Sequence, residues 1–208
     1  MLEHEYSLLS GFNRAKVGRY ISLASASVSA GIVFILLWAV DIAQKFGLPA
    51  NVPPAILSLV GAGAVFVALY WLFDKYAWKW GLVANLLKVP DLSGKWTCQG
   101  QSLDLNGNVT FPWVGEIIIV QSWDKIRVRL TTKQSGSNSN SAAIICDEAE
   151  GYRLFYSYKN DPKISETDLH SHRGFAELTF NKAVNTAEGE YFNGYGRYTF
   201  GRMKLERL

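Results

Sequence analysis

The chain has 208 residues, 49% of them hydrophobic, with a formal net charge of +3 and two cysteines. The first 89 residues carry seven Lys/Arg against four Asp/Glu, while the remaining 119 carry fourteen of each. A charge-balanced C-terminal part lacks the basic face that displaces counterions, which excludes long nucleic acid as its partner.

The first element is residues 21–40, ISLASASVSAGIVFILLWAV, twenty positions without a charge. The second is residues 53–73, PPAILSLVGAGAVFVALYWLF, which opens on a Pro-Pro pair suited to a helix start. Each is long enough to cross about 30 Å of hydrocarbon as a helix. Residues 1–89 therefore read as a two-span transmembrane hairpin with spans at about 21–40 and 53–73.

Arg14, Lys16 and Arg19 precede the first span, Lys75, Lys79 and Lys88 follow the second, and the connector holds only Lys45. The positive-inside rule then places both termini on the cytoplasmic side. Trp38, Trp71, Tyr76, Trp78 and Trp80 sit where interfacial aromatic belts form. Small residues such as Ser25/Ser29 and Gly61, Gly63 and Ala64 thin the helix faces for close packing in lipid. No ionisable side chain interrupts either run, so the segment reads as an anchor and association device.

Residues 74–90, DKYAWKWGLVANLLKVP, read as a helical linker, and the texture changes near Val89-Pro90. From there to residue 208 the pattern is β. Strands are expected near 95–103, 113–121, 124–132, 141–148, 152–160, 171–181, 186–193 and 197–206. Turn chemistry separates them at Asn106-Gly107-Asn108, Trp123-Asp124, the loop 134–140, Glu150-Gly151, Asp161-Pro162 and Gly194. Eight successive antiparallel strands with short connections predict an all-β, up-and-down, lipocalin-like barrel whose closure removes its edges. A barrel of that size holds its own side chains or one small ligand. The open β-sandwich is the other fold this pattern allows. Cys98 and Cys146 lie in these strands with neither a metal spacing nor a secretory leader, which points to a reducing compartment.

Tyrosine and arginine crowd the later strands. Alternation puts Leu154, Tyr156 and Tyr158 on one face, and Arg197, Thr199, Gly201 and Met203 on another that reads as inward. Aromatic faces stack on flat rings and a guanidinium forks a phosphate or carboxylate. The candidate ligand-binding residues are therefore Arg197, Tyr156, Tyr158, Tyr191, Trp96, Arg173 and Tyr198. His170 and His172 lie two apart, too few for a metal without distant partners. No HExxH, phosphate loop or nucleophile elbow occurs, so no catalytic or metal residue is assigned and the chain is not read as an enzyme.

An anchor followed at once by a small barrel, with the segments DLSGKWTC and YGRYTFGR, resembles the two-transmembrane β-barrel (SMODS-associated, β-strand-rich) effectors of bacterial CBASS anti-phage immunity. The resemblance implies a cyclic dinucleotide ligand, made by a partner nucleotidyltransferase, bound by a cytoplasmic barrel at the inner membrane. It further implies homo-oligomerisation on activation, membrane disruption and death of the infected cell. Two alternatives stay open on the residues alone: a membrane-tethered binder of a fatty acid or other apolar ligand, and a ligand-free interaction module filled by its own side chains.

Overall fold

The computed structural model describes residues 3–9, 12–147, 149, 151–195 and 197–208. It divides into two compact units: Phe12–Trp80, and Met1–Gly11 together with Gly81–Leu208.

The helical unit begins with α1, Arg14–Lys45, whose first turn is capped by the Asn13 side chain accepting from the Ala15 N–H at 2.8 Å. Its 32 residues span about 48 Å, more than a bilayer core requires. Only 11% of its most apolar window is buried, and Leu23, Phe34, Ile35 and Trp38 are exposed. The core helix of a soluble protein would bury those side chains; lipid is the solvent that suits them.

The expected second span is corrected. Residues 53–73 do not form one helix but α2, Pro54–Leu59, and α3, Ala62–Lys75, separated at Val60-Gly61. The described residues therefore hold one helix long enough to cross a membrane, not a two-helix hairpin. Gly61 and Gly63 each cost a helix about 1 kcal/mol relative to Ala, and Gly61 takes an extended ψ of 150° as the cap of α3. The break frees the Val60 carbonyl, and the Ser29 hydroxyl of α1 donates to it. Backbone groups exposed in an apolar medium must find such partners. The expected helical linker is corrected too: α3 ends at Lys75, a 3₁₀ turn covers Ala77–Lys79, and a separate helix α4 covers Gly81–Leu87.

Among the described residues the β unit has nine strands rather than eight: β1 (His4–Leu9), β2 (Gly94–Leu103), β3 (Val109–Gln121), β4 (Lys125–Thr132), β5 (Ser135–Asp147), β6 (Gly151–Pro162), β7 (His172–Phe180), β8 (Thr186–Gly194) and β9 (Phe200–Arg207). Strands β2 to β9 form the expected antiparallel meander, closed by β9 against β2 from Trp96↔Arg207 to Leu103↔Phe200. The weak seam lies between β4 and β5, which pair only from Arg129↔Asn138 to Thr131↔Gly136. Where they part, β1 enters, antiparallel to β4 at His4↔Ile126 and parallel to β5 from Tyr6↔Ala142 to Leu9↔Ile145. Ser139 manages the junction: its Oγ accepts the Val128 N–H at 2.9 Å and lies 2.7 Å from His4 Nε2. Buried Tyr6 donates to the Ser122 carbonyl and accepts from Gln121 Nε2, which ties β1 to the end of β3.

Three further expectations shift. The loop expected at 134–140 is strand from Ser135, because Ser137 and Ser139 turn inward and are buried. The Asp161-Pro162 turn belongs to the end of β6, and the last strand starts at Phe200, leaving Arg197 in the preceding connection. Of the Glu150-Gly151 turn, Glu150 lies outside the described residues and Gly151 opens β6 at φ +110°.

One end of the barrel is filled. Leu92, Trp96, Ile117, Ile119, Ile126, Leu154, Leu178, Phe180 and Leu205 are almost completely buried there and along the axis. Each such aliphatic side chain contributes about 1.5–3 kcal/mol. Trp96 meets Phe180 edge-on at 5.1 Å and donates its indole N–H to the Leu92 carbonyl at 3.2 Å. The other end, where the β2–β3, β4–β5, β6–β7 and β8–β9 connections gather, is open.

Candidate functional site

The open end holds a cavity of about 710 Å³ of atom-free space, mouth included. Its wall is built by strand parity. On β6, Tyr156 and Tyr158 point inward with Leu154 beneath them; on β8, Tyr191 and Asn193 do the same; on β3, Trp113 enters from its first half. Two glycines let these rings lie against the wall. A side chain at Gly174 would collide with the Tyr158 phenol, and one at Gly100 would collide with the Trp113 indole. Glycine inside a strand marks such close approach.

Hydrogen bonds hold the rings in place. Trp113 Nε1 donates to the Tyr191 hydroxyl at 3.0 Å, and the Ser102 hydroxyl lies 2.9 Å from the same oxygen. The two rings meet edge-on at 5.7 Å. The Tyr158 hydroxyl donates to Asn193 Oδ1 at 2.8 Å, and Asn193 Nδ2 donates to Thr199 Oγ1 at 2.8 Å. Asn160, Ser137, Ser135, Thr132, Gln134 and His172 supply further polar groups around the mouth.

Arg197 is the one Lys or Arg among the described lining residues, and no carboxylate lines the cavity with it. Burial holds the His172 imidazole below its ordinary value; the Arg197 charge pushes the same way, against the bond from Nδ1 to the His170 carbonyl. The net shift favours the neutral imidazole, although an Asn193 side-chain hydrogen bond and the Asp161 charge also oppose it, and Arg197 is left as the cation of the lining. Burial also raises the phenols of Tyr156 and Tyr158; for Tyr158 neighbouring Tyr191 adds to this and Arg197 opposes it. Both remain protonated hydroxyls. Deeper in the barrel, burial pushes the Cys98 thiol up to about 12 and the Cys146 thiol up to about 11, and both are free and unreactive.

Of the seven candidate residues, the structure brings Tyr156, Tyr158, Tyr191 and Arg197 together in the cavity wall. Three lie elsewhere. Trp96 is fully buried in the filled end. Arg173 alternates with inward His172 and Gly174 and is exposed on the outer wall of β7. Tyr198, between Arg197 and Thr199 in the β8–β9 connection, is 89% exposed. His170 is outside any strand, and among the described residues no group of three His, Cys, Asp or Glu can hold a metal. Trp113, Ser102, Asn160 and His172 were not among the candidates. The signal available for Trp113 was Gly100, whose role emerges only from their cross-strand pairing.

A cup with three tyrosines, one indole, hydroxyl and amide groups and a single guanidinium suits a small anion that also carries flat rings. Aromatic faces take the rings at about 1–3 kcal/mol per stacked base, and the guanidinium takes a phosphate oxygen pair. Comparisons with known proteins bear on that chemistry. Residues 15–79 match the family model described as Cap15, TM helices, and residues 87–207 match the one described as Cap15, cyclic dinucleotide receptor domain. The chain is 42% identical over 208 residues to CD-NTase-associated protein 15 of Yersinia aleksiciae, covering 100% of this chain and 99% of that protein.

Proposed function

The chain belongs to the Cap15 family, and on that premise we propose that its open barrel end binds a cyclic dinucleotide and couples that binding to assembly in the membrane. The observation that carries the reading is the cavity itself: Tyr156, Tyr158, Tyr191 and Trp113 offer ring faces beside Arg197 in a lining without carboxylates. A cyclic dinucleotide has two bases for the former and two phosphates for the latter. The fatty-acid alternative fits less well, because buried Leu154, Ala176 and Leu178 block the barrel axis where an acyl chain would run. The self-filled module fits less well because the open end is not filled.

The barrel lies on the cytoplasmic side of the bacterial inner membrane in this reading. Two observations support it. Lys and Arg cluster at both ends of the helical segment. In addition, β1 precedes that segment and β2 to β9 follow it, yet they share one barrel. A segment that starts and ends on one side of the bilayer fits that arrangement. Ligand binding favours a higher-order homo-oligomer, the helical units associate, and the membrane fails, so an infected cell dies before phage mature. By linkage, oligomers bind the ligand more tightly than monomers.

The test uses the full chain in dye-loaded vesicles of phosphatidylethanolamine and phosphatidylglycerol. Cyclic di-AMP, cyclic di-GMP, mixed cyclic dinucleotides and oleate are added separately, with leakage and oligomer mass as readouts. Leakage and assembly triggered by one cyclic dinucleotide are expected. Leakage that ignores every nucleotide, or answers only oleate, sinks the proposal.

A further inference from the structure

Arg197 sits on the short connection between β8 and β9. Tyr195 and Tyr198 on that connection are 82% and 89% exposed, so neither side chain packs it down. Its base is closed at one residue. The Asn193 backbone N–H donates to the Thr199 carbonyl at 2.7 Å, and Asn193 Nδ2 donates to Thr199 Oγ1 at 2.8 Å. The same side chain accepts the Tyr158 hydroxyl at 2.8 Å. Within the ring so formed, the Arg197 N–H reaches the Gly194 carbonyl at 3.4 Å.

We infer that Asn193 is a positioning residue: it latches the β8–β9 connection to the Tyr158 ring, so that Arg197 is presented at a set distance from the aromatic wall. The inference rests on reading this cavity as the cyclic dinucleotide site. A phosphate and its base are joined by a ribose of fixed length, so ring and cation act together only if their separation is preset. A guanidinium on a loose loop pays the ordering entropy at each binding event. A latched one binds with geometry already in place. The latch also gives Gly174 a second role, because Tyr158 reaches Asn193 only by lying where a Cβ on Gly174 would be. Asn193 thus acts through Arg197 and Tyr158.

A double-mutant cycle on the full chain in detergent micelles tests this, with calorimetric titration of cyclic di-AMP, cyclic di-GMP and the mixed cyclic dinucleotides. Arg197→Ala is expected to weaken the probe that the unmodified chain takes by about 30-fold, the range for a hydrogen bond to a charged group. Asn193→Ala is expected to cost about tenfold, and adding Arg197→Ala to it less than about threefold more, because the cation has already lost its place. Thr199→Val, which removes one latch acceptor at nearly constant volume, gives the same non-additivity in smaller measure and serves if Asn193→Ala does not fold. If Arg197→Ala costs the same factor in all three backgrounds, Asn193 does not position it and the latch is overturned. If the unmodified chain takes none of the probes, the cavity reading itself falls, and the latch with it.

Discussion

The two ends of one barrel are made from the same strands yet solve opposite problems. At the filled end, β2 and β7 contribute Trp96 and Phe180, whose rings meet edge-on with Leu92 beneath, and Arg207 lies 5.3 Å over the Trp96 ring. At the open end, the same two strands contribute Ser102 and His172 to a polar rim. The first end gains stability from close packing. The second keeps its rings half-supplied with partners, by hydrogen bonds at their edges, and leaves faces and one guanidinium for a ligand. On the proposed reading, stability and recognition are separated along the strand axis, with the boundary near Tyr156.

Substitutions at the two ends should therefore fail differently. The largest effect is expected from Trp96→Ala, which should destabilise the barrel by about 3–5 kcal/mol while leaving the ligand affinity of the folded fraction within about twofold. Chemical denaturation alongside titration measures both. A large affinity loss with an unchanged unfolding midpoint would erase the distinction between the ends. Gly174→Ala comes next. Its Cβ meets the Tyr158 ring and the Phe192 carbonyl, so an overpacking cost of about 1–3 kcal/mol is expected, together with loss of ligand binding, since Tyr158 must leave the cavity wall.

A smaller effect belongs to the helical unit. Ser29→Ala removes the donor to the Val60 carbonyl at the helix break and should cost about 0.6–1.7 kcal/mol, read as a lower melting temperature in micelles with ligand affinity unchanged. The smallest concerns pH. His172 is held below its ordinary pKa in the folded chain, so the unfolded chain binds the proton more readily and stability falls as pH drops below about 6.5. His172→Gln should flatten the decline of melting temperature between pH 7.5 and 5.5. A phosphate-bearing ligand in the cavity should do the same, because its charge favours the imidazolium. The carboxylate of Asp161, lowered chiefly by the Ser171 hydroxyl, acts in a separate and more acidic window.

Much of the meander was readable from alternation, because a half-buried strand repeats every two residues. Ile126/Val128/Leu130 and Leu154/Tyr156/Tyr158 carry that signal plainly; Tyr156, Tyr158 and Tyr191 line the cavity from such strands, while Arg197 enters it from the β8–β9 connection. Arg173 lies on the outer wall of β7 because it alternates with inward His172 and Gly174, whereas Tyr198 lies in the β8–β9 connection, where strand parity does not apply. Trp96 has inward parity but sits at the wrong end, and a one-dimensional pattern carries no record of depth along the barrel. The break at Val60-Gly61 was hidden because hydropathy counts apolar residues and ignores the weak helix propensity of glycine.

Composition and periodicity by themselves determined that this protein has an apolar, membrane-crossing N-terminal part and an eight-stranded meander, since both follow from local properties of consecutive residues. Tertiary structure alone decided three things. It recruited His4–Leu9 as a ninth strand, six residues too short to signal themselves, into a seam that exists only once β4 and β5 splay. It chose which end of the barrel stays open. And it joined Gly174, Tyr158, Asn193, Thr199 and Arg197 into one site, because residues on successive strands and on the connection after them meet only when the backbones pair in a set register.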